Sequence, residues 1–259
     1  MSLLPVSIII PCHNADRHLE ECLFSVVGQL CAEIILLDDN SSDRSVKIAE
    51  NFSQVQVIRH VKRMGAQALR NEGIELSTQP YLHFMDADDY LLPHSLASLL
   101  TELRQNPPAK VVYGNYRVIP HCGRDRLPGM PYLADTGTCN GLLESLLRNE
   151  FPPTTPCFLF ERSVFDRIRW DDSGRYALGL HDRRLALDLV LSRTRVEHVP
   201  TVVHAHRCGW SPYQISQSRD YLAHRVTFME DSGRAVAGIQ QVTQKRYVTD
   251  LMRDGDARC

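Results

Sequence analysis

The sequence predicts an α/β fold, a mostly parallel central sheet flanked by helices, on two observations. Short, continuous apolar runs rich in β-branched residues recur, beginning with VSIII (6–10) and EIILL (33–37). Runs of this kind belong to strands covered on both faces, as in parallel sheets. Between them lie stretches whose apolar residues fall at helical spacing, and alternation of this length implies right-handed crossovers.

The elements follow in order. After the first strand, Asn14 stands where a helix cap would, with Asp16 in the first turn, and Leu19, Cys22, Leu23, Val26, Val27 and Leu30 share a helical stripe. Ser41 or Ser42 is placed to cap the helix behind the second strand. VQVIRH (55–60) reads as a third strand, AQALRNEGIEL (66–76) as a helix and YLHFM (81–85) as a fourth strand. Pro93 suits a first helical turn, before Leu96, Leu99, Leu100 and Leu103 on one face. VVYGNYRVI (111–119) completes this half as a fifth strand.

The second half is less regular. Residues 120–137 read as a loop, about 140–148 as a helix and FPPTTP (151–156) as an extended break. CFLFERSVFDRI (157–168) reads as strand then helix, HDRRLALDLVLS (181–192) as a helix, and VEHVPTVVHAH (196–206) as strand broken at Pro200. One large domain over 1–210 is expected, its halves meeting near 115, followed by a C-terminal helical extension over 211–259.

Composition narrows the partners. The formal net charge is −2, and no basic stripe or tail marks a nucleic-acid footprint. The opening MSLLPVSIII lacks a basic leader, and its apolar run falls far short of the ~20 residues of a membrane span. The eight cysteines form no C-x-x-C pair and no regular spacing, which fits reduced thiols and a cytoplasmic protein. Peripheral association with the inner face of a membrane and homodimer formation are both compatible with such a surface.

In an open parallel sheet, ligands bind outside the carboxyl ends of the strands. Pro11-Cys12-His13-Asn14 follows the first strand, Asp38-Asp39 the second and Asp86-Ala87-Asp88-Asp89 the fourth. Any one group could simply end a strand or cap a helix. Five aspartates along one rim argue instead for a cation, and oxygen ligands favour Mg²⁺ or Mn²⁺ over zinc. No Walker loop and no G-x-G-x-x-G fingerprint is present, so a nucleotide would be held chiefly through the metal.

The segments VSIIIPCHNADRHLEECLFSVVGQ, EIILLDDNSSDRS, GAQALRNEGIELSTQPYLHFMDADDYLLP and RVEHVPTVVHAH together resemble the family-2 glycosyltransferases of GT-A (Rossmann-like) fold, over roughly residues 5–207. The resemblance implies an inverting enzyme that moves a sugar from a nucleotide-diphosphate sugar, UDP-linked, to a hydroxyl acceptor on a glycan or lipid-linked glycan. It places the Mn²⁺ or Mg²⁺ site at Asp86 and Asp88, with Asp89 a neighbour. Pro11, His13, Asp38, Asp39, Arg70 and Asn71 match nucleotide-binding positions.

The family's catalytic base falls on Asp182, where it would take the acceptor proton as the diphosphate leaves on the opposite side. His181 stands where the family usually has glutamate, which raises the alternative of a weakly active or non-catalytic relative that binds nucleotide or a partner. Of His204 and His206 only one is expected to reach the metal or diphosphate, and His206 is preferred. Trp210 is a candidate acceptor platform. The processive Gln-x-x-Arg-Trp motif is missing, so one sugar per binding event is expected.

Overall fold

The computed structural model describes residues 2–120, 154–173 and 181–208. In chain order the elements are β1 (Leu4–Cys12), α1 (Leu19–Val27), β2 (Cys31–Asp38), α2 (Ser45–Ala49), β3 (Gln56–Arg59), α3 (Ala66–Leu76), β4 (Tyr81–Phe84), β5 (Tyr90–Leu91), α4 (Ser95–Gln105), β6 (Val111–Pro120), β7 (Phe158–Glu161), α5 (His181–Leu191) and β8 (Val196–Cys208). The strands form one sheet in the order β3-β2-β1-β4-β7-β6-β8-β5.

β1 runs between β2 and β4, parallel to both, and β3 extends the parallel block. That central place explains its unbroken apolar run. Ile8 and Ile10 pack in one core with Leu19, Leu23, Leu96 and Leu99, whereas Ile9 packs in a second with Leu69, Ile74 and Phe84. Helices therefore cover both faces, and α3 lies so close that a Cβ on Gly73 would stand 2.4 Å from Ile9 Cγ2. Beyond β4 the sheet becomes mixed. β7 is antiparallel to β4 and β6, β6 is parallel to β8, and β5 is antiparallel to β8.

Several local expectations are corrected. Asn14 adopts φ 48° and does not cap α1, which begins at Leu19 behind His18. Its amide reaches across instead, Oδ1 accepting from the Ser42 N–H at 2.9 Å. Neither Ser41 nor Ser42 caps α2. Asp43 accepts from the Ser45 N–H at 2.9 Å, a carboxylate serving better than a hydroxyl at a helix start. Pro93 lies ahead of α4, because the Leu92 N–H still bonds Val203 O at 2.9 Å and holds the chain extended.

β8 continues through Pro200 as one strand, with its register against β6 slipping between Tyr113 and Tyr116. Gly114 permits that slip, since a Cβ there would stand 2.8 Å from Thr201 O and 2.5 Å from Val203 Cγ1. β5 was not anticipated, because two residues carry no periodicity. The loop expected over 120–137 lies, apart from Pro120 at the end of β6, outside the described residues, as do the helix over 140–148, Trp210 and the extension over 211–259.

Candidate active site

The rim is built from the ends of β1, β2, β4 and β8. At β1 and β2, His13 donates from Nδ1 to Asp39 O at 2.8 Å, and its Nε2 lies 3.1 Å from Asn14 Nδ2. Pro11 and Cys12 are buried in register with Leu37 and Asp38. Asp38 is buried, and its Oδ2 accepts from the Ser41 N–H at 3.2 Å. Its Oδ1 has no hydrogen-bond partner among the described residues.

Asp39 is committed elsewhere. Its two oxygens accept from the Met64 N–H at 2.6 Å and the Gly65 N–H at 3.0 Å, which fixes the turn into α3. Gly65 takes φ 89° there, a conformation that side chains strain to reach.

The three aspartates after β4 separate into three environments. Asp86 Oδ1 accepts from Arg70 Nη2 at 2.6 Å. Asp89 is fully buried, accepting from His206 Nδ1–H at 2.9 Å and from the Arg207 N–H at 2.8 Å. Burial alone would raise its carboxyl, but His206 and His204 outweigh burial and hold it well below the usual carboxylate range. Asp88 has no such relief. Burial and the charges of Asp89 and Asp86 push its carboxyl up to about 7, with His206 close enough to pull partly the other way.

β5 explains how Asp89 meets the histidines. Tyr90 pairs with Ala205 and Leu91 with His204, so the residue before Tyr90 is delivered to His206 and Arg207. Both histidines of the pair approach Asp89. Residues two apart on a strand share a face, and His204 Nε2 also lies 3.5 Å from Asp89 Oδ2. His204 is the buried member, against Thr154 Oγ1 at 3.2 Å and Cys157 Sγ at 3.5 Å, whereas His206 is partly exposed. Asp89, His204 and His206 form a group whose ligand atoms lie within 4.8 Å of one another.

Asp182 occupies the first turn of α5, and its Oδ1 accepts from the Thr155 N–H at 3.2 Å and from the Thr155 hydroxyl. His181 Nε2 lies 3.6 Å from the same oxygen. Burial, with a smaller push from Arg70, lowers the His181 imidazole below its usual value although Asp182 draws it upward. Both ends of the Asn71 amide bond the Trp170 backbone at 2.9 Å. Sequence reasoning missed Asp89 as the anchor of His206, and missed Thr155 and Trp170 altogether. The His-Ala-His spacing was the signal available for the first. The other two contacts join segments far apart in sequence, with no local signature.

The model for glycosyl transferase family 2 matches residues 7–169. The chain therefore belongs to glycosyl transferase family 2. The uncharacterized glycosyltransferase EpsJ of Bacillus subtilis is 36% identical over 188 residues, covering 66% of this chain and 53% of EpsJ. The uncharacterized glycosyltransferase YibD of Escherichia coli is 39% identical over 102 residues, covering 37% of this chain and 29% of YibD. The poly(ribitol-phosphate) beta-glucosyltransferase of Bacillus spizizenii is 35% identical over 97 residues, which cover 34% of this chain and 15% of that enzyme. The matched stretches thus span from about a seventh to about half of these relatives.

Among solved structures, Staphylococcus aureus TarS 1–349 in complex with UDP-GlcNAc superposes with a TM-score of 0.67 at 15% identity, covering 85% of this chain and 64% of that one. At that identity the likeness establishes the fold, which is GT-A. No helix among the described residues is long and apolar enough to cross a membrane.

Proposed function

We propose that this chain is an inverting, metal-dependent glycosyltransferase that moves a sugar from a UDP-linked donor to a hydroxyl acceptor on a glycan or lipid-linked glycan. The observation that carries the reading is the split of the aspartate cluster. Asp86 and Asp89 each have a cationic or N–H partner, while Asp88 is left with a carboxyl raised to about 7 by its neighbours. A divalent cation fits such a position, because it restores the ionised form that crowding disfavours.

Asp88 and His206 would hold Mn²⁺ or Mg²⁺, with Asp86 beside them. Asp89 engages Nδ1 of His206, the arrangement in which a carboxylate orients a metal-binding histidine. Bound there, the cation would offset charge developing on the departing diphosphate. Asp38 Oδ1, buried without a donor among the described residues, would accept an N–H of the uracil ring. His13 and Pro11 would line the nucleoside pocket, and Asp39 would act by fixing the turn beneath it. On the acceptor side, Thr155 holds Oδ1 of Asp182 and leaves Oδ2 to take the hydroxyl proton. Attack from that side, opposite the diphosphate, inverts the anomeric centre.

The binding-protein alternative has one observation in its favour. His181 replaces the usual glutamate, and its Nδ1 is buried without a hydrogen bond among the described residues. Thermal unfolding with nucleoside diphosphates, with and without Mn²⁺, tests both readings. At 100 times its dissociation constant, UDP with Mn²⁺ should stabilise the protein by about 2.7 kcal/mol, a rise of several degrees that Asp88→Asn abolishes. Donor hydrolysis or transfer supports the enzyme. Binding without turnover supports the alternative, and no shift with any nucleotide overturns the UDP reading.

A further inference from the structure

Between the aspartate cluster and α5 lies a group of contacts that the proposed chemistry has not used, centred on Trp170. This residue is 4% exposed. The Arg70 guanidinium sits over its ring, with Cζ 4.7 Å from the centroid. Asn71, the next residue of α3, grips the same tryptophan by its backbone. Asn71 Nδ2 donates to the Trp170 carbonyl and Oδ1 accepts the Trp170 N–H, each at 2.9 Å. The ring also meets Phe84 edge-on at 5.4 Å, where β4 ends, and His181 at 6.3 Å, where α5 begins.

We propose that Trp170 is a positioning residue, clamped by Asn71, that holds the Arg70 guanidinium against Asp86 and so sets the geometry of the metal–diphosphate rim. The inference rests on the nucleotide-sugar reading of that rim and deepens it.

Arg70 is poorly bonded for a buried cation. Its side chain is 2% exposed, and Asp86 is its one carboxylate partner among the described residues. Nε and Nη1 have no hydrogen-bond partner among the described residues. A buried cation with donors unmet is costly to keep in place. The aromatic face beneath it supplies electrostatic attraction and fills the volume that would otherwise let it move. With an aliphatic side chain at 170, Arg70 would be free to leave Asp86, whose carboxylate would then swing without a partner. The Arg-Asn pair therefore acts as two ends of one clamp. Asn71 fixes where the ring stands, and the ring fixes where Arg70 points.

The test measures affinity for UDP plus Mn²⁺ by calorimetry on the full chain, with thermal unfolding of every variant alongside. Trp170→Leu and Asn71→Ala should each weaken binding by at least about ten-fold, the usual effect of losing an outer-shell partner. Trp170→Phe keeps an aromatic face under the cation and should stay within about three-fold of wild type. In an Arg70→Ala background, Trp170→Leu should add no further loss.

Unchanged affinity in Trp170→Leu or Asn71→Ala, with only a lower Tm, would make Trp170 a packing residue and overturn the proposal. So would an additive loss on top of Arg70→Ala. If the wild type binds no UDP with Mn²⁺, the functional reading fails on its own. The clamp is then judged by Tm alone: additive shifts for Trp170→Leu and Asp86→Asn overturn it, and non-additive shifts sustain it.

Discussion

Asp89→Asn tests the division of labour among the aspartates most directly. In the fold this carboxylate accepts from His206 Nδ1–H at 2.9 Å and from the Arg207 N–H at 2.8 Å, and it is fully buried. Two effects oppose each other. Removing a buried charge saves desolvation, whereas removing it from these donors sacrifices charge-assisted hydrogen bonds. The carboxyl is held below its usual range despite burial, so the partners win and the ionised form contributes net stability.

That contribution is fully present at neutral pH, above the unfolded pKa, and fades only as pH falls through the depressed folded value. An asparagine keeps one acceptor and sets its amide N–H₂ against a neighbouring donor. A charge-assisted bond is worth about 1.5–3 kcal/mol, and a frustrated donor adds to the loss, so a destabilisation of about 2–4 kcal/mol is expected. At roughly 2–4 °C per kcal/mol for a chain of this size, Tm should fall by about 5–15 °C.

Mn²⁺ affinity should fall together with Tm, by about 10–100-fold, because His206 loses the partner that orients it. Asp88→Asn should behave oppositely in the melt. It relieves one of three crowded charges, so the metal-free Tm should not fall, although Mn²⁺ binding should be lost. Calorimetric melts in chelator and Mn²⁺ titrations of both variants check this. An Asp89→Asn protein that melts and binds like wild type, or an Asp88→Asn protein that is the less stable of the two, refutes the assignment.

Three further outcomes are expected. His83 is fully buried, donates from Nδ1 to Phe158 O at 2.8 Å, and burial lowers its imidazole to about 4. Its folded pKa lies below the unfolded one, so its neutral form supports the fold above about pH 6.5 and that support is lost as pH falls toward 4. Asp88, raised to about 7, contributes in the opposite sense over the same interval, so the check is the difference: urea melts should find wild type losing about 3 kcal/mol relative to His83→Gln as pH falls from about 6.5 to about 4. Gly73→Ala should destabilise the protein by about 1–3 kcal/mol despite alanine's better helix propensity, because the new Cβ would stand 2.4 Å from Ile9 Cγ2. A Tm above wild type would refute it. Asp182→Asn should lower kcat by about 10²–10⁴ while leaving the UDP–Mn²⁺ thermal shift intact, and a lost shift would place Asp182 in donor binding instead.

The parallel half of the fold was legible because each strand there is covered on both faces, so burial writes an uninterrupted apolar run into the sequence. α3 was bounded correctly at 66–76, since a glycine turn precedes it and its apolar residues keep one period. Helix starts were less legible. Asn14, Ser41, Ser42 and Pro93 have the residue types of helix openings, but the first three belong to cross-loop contacts and the last to a segment still pairing with β8. Local chemistry nominated them and tertiary contacts reassigned them. At the rim the partners of the nominated side chains were not legible, because each pairing joins distant segments: Asp89 with His206, Asp182 with Thr155, Asn71 with Trp170.

Three carboxylates within four residues are tolerated here because they do not share one burden. Arg70 takes Asp86 from α3, and β8 takes Asp89 through His206 and the Arg207 backbone. Those two pairings fix the loop from opposite sides of the sheet order, β4 lying four strands from β5. Between them Asp88 inherits the repulsion of two anchored neighbours. An ordinary solvated turn would spread that repulsion by letting the chain relax, and it would need neither a buried arginine nor a histidine from a distant strand. Anchoring the outer carboxylates while leaving the middle one strained toward protonation is what the proposed cation site asks of this loop, one acidic oxygen presented without movement when the cation arrives.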